Sequence, residues 1–591
     1  MTWFVKTVDG SPVKPRIYSS GISQDKVVEK LVTAFKTGSE VVVLQSAPGT
    51  GKSLIALLTY YNLYGKSGKG VVVVPTRTLQ LQYSEDYGGR RFIIGDGGGV
   101  LDIGFIWGRQ NYRCRLAPTT CDEAPCVTQW KYLNIIEKMS RCPFYCKPLT
   151  RSQFERVRTY VKDVEEINTF TSITGEEIVL YTRSQGVCPY YQQFLNYVNC
   201  DVVVLNDWMW FYEKKLERIV NYDFIIIDEF DQIFMNHIPR ITTRVDEFVQ
   251  VLDQYLRQYR PRDLVEEDQL QELRSRFKQV VYLLKKFNTK DDFYQVLHDI
   301  VQLYYEYNEL FEIAPDEVKS WFRKFEWLLD ILTRHYNLYE VVRLGYRVHL
   351  VCVEPREYYR NVILRFDYPG KKMLLMSATP LERKLLKSMF GIDPDEIVVV
   401  EKKVPGKVYL GGTFGMVVSG KQFLEDGNYR KTYCEELWKT IQLARSEVSP
   451  RLGIITAYKY VDYLFKYYGI RLNIDEDGSM LQKLRNNEVD EVWTTRAYRG
   501  VDLPNVHGII ITKYPYPDLQ DPFWQLLKNM RPELFKQFYE WVAEITLFQV
   551  ICRALRDENC WVKIYSPDLK VKIKIQEFAK QDYIELVQQV K

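Results

Sequence analysis

SAPGTGKS, residues 46–53, follows the apolar run EVVVLQ and precedes SLIALLTYYNL. A strand signal, a Gly-rich loop and a helical signal in that order match GxxxxGK[ST], the loop that cradles phosphates. The backbone N–H groups of residues 49–52 can then surround an anion at a helix N-terminus, where aligned peptide dipoles favour negative charge. Ser46, Ala47, Pro48, Gly49, Thr50, Gly51, Lys52 and Ser53 form the expected cradle. Lys52 is placed to reach the β- and γ-phosphates and Ser53 to hold Mg²⁺. Ser46 stands where the pattern has its first glycine.

Such a loop needs a second carboxylate site for the metal. DFIIIDEFD, residues 223–231, supplies a short apolar strand ending in Asp228 and Glu229. Asp228 is expected to hold Mg²⁺ and Glu229 to orient or deprotonate an attacking water. Alone, two acids at a strand end would read as a solvated turn. The phosphate loop upstream gives them a task.

Length and composition bound the rest. At 591 residues the chain exceeds one hydrophobic core, so roughly three or four domains are expected. Charged residues make up 26% and nearly balance, with net charge +4, so overall charge does not announce a nucleic-acid partner. Aromatics at 14%, with 43 Tyr, offer material for packing and for base stacking. No apolar run is long enough to span a bilayer, and MTWFVKTVDG lacks the apolar core of a signal peptide. A soluble, cytoplasmic protein without membrane partners is expected, and a monomer.

Further segments occur in a telling order: VVVVPTRTLQLQ (71–82), KMLLMSATP (372–380), VWTTRAYRGVDLP (492–504) and FQVICRALRDEN (548–559). With APGTGKS, PTRT, DEFD, SAT, RGVD and QxxxRxxR in this sequence, the chain resembles the superfamily 2 helicases. The resemblance implies two RecA-like α/β lobes, each a parallel sheet wrapped by helices, closing on ATP. Arg553 and Arg556, one helical turn apart, are implied to bring positive charge to the γ-phosphate from the second lobe, with Gln549 on the same face. Without that company the helix would read as a charged surface face. Two positions depart from the usual pattern. Cys552 stands in for a glycine, and Asp231 for a more familiar histidine, which leaves the coupling of nucleotide and nucleic acid open.

Seven of the 11 cysteines fall between Cys114 and Cys200, in a chain expected to be reduced. That clustering suggests metal. The segment GRQNYRC…CDEAPC…CPFYC…CPYYQQF resembles the iron–sulphur helicases of the XPD/DinG kind, in which Gly-Arg-x-Asn-Tyr-x-Cys opens a cluster domain and Cys-Pro-Tyr-Tyr closes it. Four thiolates can hold zinc or an Fe–S cluster, but no CxxC pair of the zinc-ribbon type occurs. A 4Fe-4S cluster is therefore expected, with zinc as the alternative and a set of merely buried cysteines as a third reading. Cys114 and Cys188 match the opening and closing segments. Cys126 and Cys142 are chosen as the middle ligands, with Cys121 and Cys146 open as alternatives.

The interval between DEFD and SAT carries amphipathic helical signals such as EEDQLQELRSRFKQVVYLLKKF. By itself it reads as a helical bundle or a protein-contact module. The resemblance implies an arch that, with the cluster domain, encloses a pore for single-stranded DNA. The expected fold is thus α/β, with two parallel-sheet motor lobes and a cluster domain and all-helical arch inserted in the first. The expected division is 1–108, first lobe; 109–199, cluster domain; 200–240, first lobe; 241–359, arch; 360–390, first lobe; 391–591, second lobe. The expected activity is ATP-dependent unwinding, 5′ to 3′ on single-stranded and tailed or forked duplex DNA, in repair or replication, with protein partners at the arch. The rival reading is a nucleic-acid remodeller that hydrolyses ATP without separating strands. A metabolic P-loop ATPase is a third reading, weakened by RGVD and QxxxRxxR.

Overall fold

The computed structural model of the chain describes residues 3–96, 99–130, 133–211, 219–312, 314–360, 371–379, 382–476, 478–495, 503 and 505–587. Apolar on both faces, Val41–Gln45, Gly70–Val74 and Phe224–Ile227 are stable only between covering layers, and every residue in them is buried. They belong to a seven-stranded parallel sheet. Its order is Glu396–Val399, Val41–Gln45, Lys372–Ser377, Phe224–Ile227, Gly70–Val74, Val202–Asn206 and Ile103–Ile106. In register, Ile225 lies between Val71 on one side and Met373 on the other. The phosphate-loop strand and the SAT strand are therefore direct neighbours, and the DEFD strand is next to the SAT strand.

A second, six-stranded parallel sheet contains Glu491–Thr494, Arg451–Ile454, Gly508–Ile511, Trp561–Asp568, Lys407–Met416 and Glu585–Leu586, in that order. The helix Pro532–Ala554 joins the halves. Its Phe538 and Trp541 rings meet Phe390 of the first half at 5.9 and 5.2 Å between centroids, while Phe548 and Ile551 lie in the second core. Edge contacts of this kind add about 0.5–1.5 kcal/mol each beyond buried area.

Two segments interrupt the first sheet. The cysteine-rich one holds short helices and the antiparallel strands Leu149–Thr150, Glu177–Arg183 and Val164–Thr171. The other is dominated by the helices Val245–Gln258, Leu264–Lys286, Lys290–Glu306 and Asp316–His335. In Leu264–Lys286, Leu270, Leu273, Phe277, Val280 and Leu284 recur three and four apart and are all buried. Asp263 starts that helix by accepting the Glu266 N–H at 2.8 Å, and Thr289 with Asp292 forms a capping box for the next.

Two expectations are corrected here. The segment at 241–359 is not all-helical: Arg240–Arg244, Arg347–Cys352 and Tyr339–Leu344 form a three-stranded antiparallel sheet at its base. The expected boundary after residue 240 therefore falls inside a strand. The division after residue 390 also shifts, because Glu396–Val399 adds to the open edge of the first sheet beside Val41–Gln45, and the second sheet begins at Lys407. Among the described residues no helix is long and apolar enough to cross a membrane.

Candidate functional site

Both sides of one cleft are built at strand ends. Beyond Gln45 the chain makes a turn that only glycine enters easily, with φ of +74° at Gly49 and +80° at Gly51. A Cβ at Gly51 would stand 2.5 Å from the Gln24 amide nitrogen. Ser46 Oγ donates to Thr50 Oγ1 at 2.8 Å, and Thr50 Oγ1 donates to the Ala47 carbonyl at 2.8 Å. The loop closes on itself, so its N–H groups stay available to an anion. Ser46 thus fills the position of the missing glycine by anchoring the loop. Lys52 opens the helix Lys52–Tyr64, and its ammonium donates to the carbonyls of Ser46 and Ala47 at 2.8 and 3.1 Å. Burial lowers its pKa, opposed by Asp228 and Glu229.

Asp228 ends the strand Phe224–Ile227. It accepts the Tyr83 hydroxyl at 2.9 Å and the Glu229 N–H at 2.9 Å. Burial, then the neighbouring Glu229, pushes its carboxyl up to about 6, opposed by Lys52 and Tyr83. Glu229 sits at φ +46°, a left-handed conformation uncommon for a side chain of its size, and leads into the helix Phe230–Asn236.

From the other sheet's side, the end of the helix Pro532–Ala554 brings Gln549 and Arg553, both buried, and Arg556 follows. Burial lowers the Arg556 pKa and Glu229 opposes it. The Arg556 carbonyl lies 3.2 Å from where a Cβ on Gly49 would stand, so the turn after the helix rests on the phosphate loop itself. Asp231 links the two sides. Its Oδ2 accepts the Thr379 hydroxyl of the SAT segment at 2.7 Å and the Gln549 amide of the other lobe at 3.1 Å. Burial raises it to about 6. The residue whose departure from pattern left coupling open is thus the one that joins three motifs. Cys552 packs in the second core, where burial pushes its thiol up to about 12 and leaves it unreactive as a nucleophile.

Sequence reasoning missed the groups that brace this cleft. Gln24 donates to the Thr50 carbonyl at 3.1 Å, Tyr18 to the same oxygen at 2.9 Å, and Arg16 to the Gly49 carbonyl at 2.9 Å. Tyr83 was also missed; it is fully buried with its hydroxyl on Asp228. No spacing in the sequence marks these braces; Gln24, for one, opens the helix Gln24–Lys36 and is buried there only in the folded chain. The segment at 499–502, RGVD, lies outside the described residues.

Farther along, Cys114, Cys121, Cys126, Cys142 and Cys188 line one small cavity with Arg109 and Tyr145. All four chosen cysteines are brought together, and Cys121 joins them. Cys146 does not line the cavity, but its sulphur lies beside Cys188, accepting that residue's N–H at 3.4 Å. Burial, then the nearby Cys188 and Cys114, pushes the Cys121 thiol up to about 12. Among the described residues no three metal-type side chains converge as ligands of a single ion would. The thiols that line the cavity are of the kind that ligate an iron–sulphur cluster.

Comparisons with known proteins agree with this architecture. Residues 21–96 match the family model of the type III restriction enzyme, res subunit. No curated protein sequence matches. A solved structure titled XPD_Helicase is 16% identical with a TM-score of 0.58, covering 98% of this chain and 100% of its own. Another, XPD_APO, is 15% identical with a TM-score of 0.53, covering 95% and 99%. The Xpd4 structure from S. tokodaii is 12% identical with a TM-score of 0.52, covering 96% and 99%. At such identities the likeness is one of fold: over nearly its whole length the chain has the fold of these three structures.

Proposed function

We propose that the protein is an ATP-dependent DNA helicase. The observation that carries this reading is the composite cleft, in which Asp231 of the first lobe and Gln549 of the second share a buried hydrogen bond beside the phosphate loop. A cleft whose halves belong to separate sheets is completed only when the lobes close, which lets nucleotide cleavage drive their movement.

In this reading Lys52 turns from its loop carbonyls to the β- and γ-phosphates. Ser53 and Asp228 would hold Mg²⁺, which would supply positive charge to offset that of the phosphates. Glu229 accepts a hydrogen bond from the attacking water and aligns it, while Arg553 and Arg556 offset charge on the departing phosphoryl group. Thr379, through Asp231, passes the state of the cleft to the SAT strand. Cys114 and Cys188, with Cys126 or Cys121 and with Cys142 or Cys146, would hold a 4Fe-4S cluster, which would cross-link stretches far apart in sequence. Single-stranded and tailed duplex DNA are the substrates, with movement 5′ to 3′, and a role in repair or replication follows from that activity. The helical insertion is an arch beside the strand's path and a place for protein partners.

The test is displacement of a labelled strand from duplexes with a 5′ or a 3′ tail, using anaerobically purified protein. ATP-dependent displacement from the 5′-tailed duplex is expected. ATP cleavage stimulated by single strands without displacement from either duplex would favour a remodeller instead.

A further inference from the structure

Asp207 follows the strand Val202–Asn206 at its carboxyl end and opens the short helix Asp207–Phe211. That helix is already capped, because Asn206 Oδ1 accepts the Met209 N–H at 2.9 Å. The Asp207 carboxylate has another task. Its Oδ1 accepts the Trp208 N–H at 2.8 Å, while its Oδ2 accepts the His237 Nε2–H at 3.0 Å and the Asn236 side-chain amide at 3.2 Å. The Phe211 and Trp208 rings stand edge-on to the His237 ring at 4.8 and 6.0 Å between centroids, and Asp207 and His237 are each only 1% exposed. An acid and an imidazole so deep in the fold are a poor source of stability, since well-packed apolar side chains of similar size commonly do as well or better. What the pair supplies is direction, through a hydrogen bond that tolerates little misplacement of its partners.

That direction is imposed on the segment that carries Glu229. His237 is the C-cap of the helix Phe230–Asn236 and Glu229 is its N-cap, so the two stand at opposite ends of about 10 Å of helix. In the first turn Asp231 is held by Thr379 and Gln549. At the far end Tyr359 Oη donates to the Phe234 carbonyl at 3.0 Å, and Asp207 holds the side chains of Asn236 and His237. So short a helix moves as one body. A misplacement of about 1 Å that reaches a reacting group can cost about 10²-fold in rate. The strand Val202–Asn206, one strand removed from Phe224–Ile227 in the sheet, thus becomes a fixed reference for Glu229.

We propose that Asp207 and His237 are positioning residues for ATP cleavage: their hydrogen bond sets the tilt of the helix Phe230–Asn236 and so the aim of Glu229 at the attacking water. This rests on the role given to Glu229 in the proposed function. The test is single-turnover cleavage of ATP by the full chain with oligothymidine present, beside nucleotide affinity and thermal unfolding. His237→Phe, which keeps a flat ring but no donor, should cleave ATP about 10-fold or more slowly, with nucleotide affinity within about threefold of wild type. His237→Gln puts an amide N–H where the Nε2–H stood and should recover most of the rate. Joined to Glu229→Gln, His237→Phe should add little, because groups that act as a unit are not additive. The chain carrying both Asp207→Leu and His237→Phe leaves no buried charge at this place. It should melt at or above the wild-type temperature and still cleave slowly, and it decides the matter if His237→Phe alone does not fold. Melting well below the wild type or a wild-type rate in that apolar chain overturns the proposal and leaves the nucleotide site intact. So does a further loss of about 10-fold when His237→Phe joins Glu229→Gln. A wild-type rate in Glu229→Gln alone overturns the site assignment on which the proposal rests.

Discussion

The nucleotide cleft and the cysteine cavity are both assembled from residues far apart in sequence, but they are organised by different forces. In the cleft the geometry comes from backbone: Gly49 and Gly51 in left-handed turns, a loop locked by Ser46 and Thr50, and carbonyls held by Gln24, Tyr18 and Arg16. In the cavity it comes from side chains that resist ionisation: burial first, and neighbouring thiols second, push the Cys121 thiol up to about 12 and the Cys126 thiol up to about 11. The first site is formed by the fold before anything binds. The second gathers five thiols whose ionisation burial opposes, a cost that a bound positively charged group would offset. Changes in the cleft should therefore remove chemistry and spare the fold, whereas changes in the cavity should loosen the cysteine-rich segment and spare the chemistry.

The largest effects are expected in the cleft. Lys52→Ala and Glu229→Gln should lower ATP turnover by on the order of 10³-fold or more, Glu229→Gln with nucleotide binding retained. Measured turnover and nucleotide affinity, with circular dichroism as a control for folding, check this. Turnover within about threefold of wild type would break the assignment of the site.

Next come the cysteines. Cys114→Ser and Cys188→Ser should each bleach the broad visible absorbance of anaerobic protein and lower bound iron, because a hydroxyl is a poor ligand for iron. Cys142→Ser beside Cys146→Ser tests the other close pair, because the Cys146 sulphur lies against the Cys188 N–H: iron lost in one alone names the ligand. Cys121→Ser beside Cys126→Ser decides which of that pair is the ligand. ATP hydrolysis should survive these changes better than strand separation does. Stoichiometric zinc in place of iron would erase the contrast, since the cavity would then serve a different group.

The smallest effect concerns pH. Asp228 must be ionised to hold Mg²⁺, and its carboxyl is raised to about 6, so kcat/KM for ATP should fall as pH drops through about 6. The Tyr83 hydroxyl stabilises the ionised form, so Tyr83→Phe should move that acid limb upward and reduce kcat/KM a few-fold near pH 6.5. In stability the sign is opposite. Asp228 and Asp231 bind protons more tightly folded than unfolded, so their contribution to stability rises as pH falls from about 6 toward about 4. An acid limb unmoved by Tyr83→Phe would show that this hydrogen bond does not tune the cleft.

Much of this was legible in the sequence because it is written in backbone requirements. Gly-Lys-Ser after a strand, and Asp-Glu after another, demand a turn and a strand end and leave few alternatives. The braces were not legible, because Gln24, Tyr18 and Tyr83 act through contacts across the fold that no spacing encodes. The strand Glu396–Val399 lies after a Gly-Ile-Asp-Pro turn that suggests a new lobe, yet it returns to the first sheet and becomes its edge strand beside Val41–Gln45. The strands at the base of the helical insertion were hidden by strong helical periodicity between them. RITTR and YEVVRL are short and weakly alternating, and they pair only through Arg347–Cys352. The number of thiols was readable, but not that Cys121 lines the cavity with the four others or that the Cys146 sulphur lies against the Cys188 N–H.

The central claim is that one nucleotide site is completed by residues from both sheets, and single-turnover cleavage of ATP by Arg553→Ala and Arg556→Ala tests it most directly. With strand present and ATP saturating, each variant should bind nucleotide yet cleave it about 10³-fold more slowly than the wild type. Cleavage within about threefold of wild type in both would contradict the claim and make the helix Pro532–Ala554 a structural bridge alone.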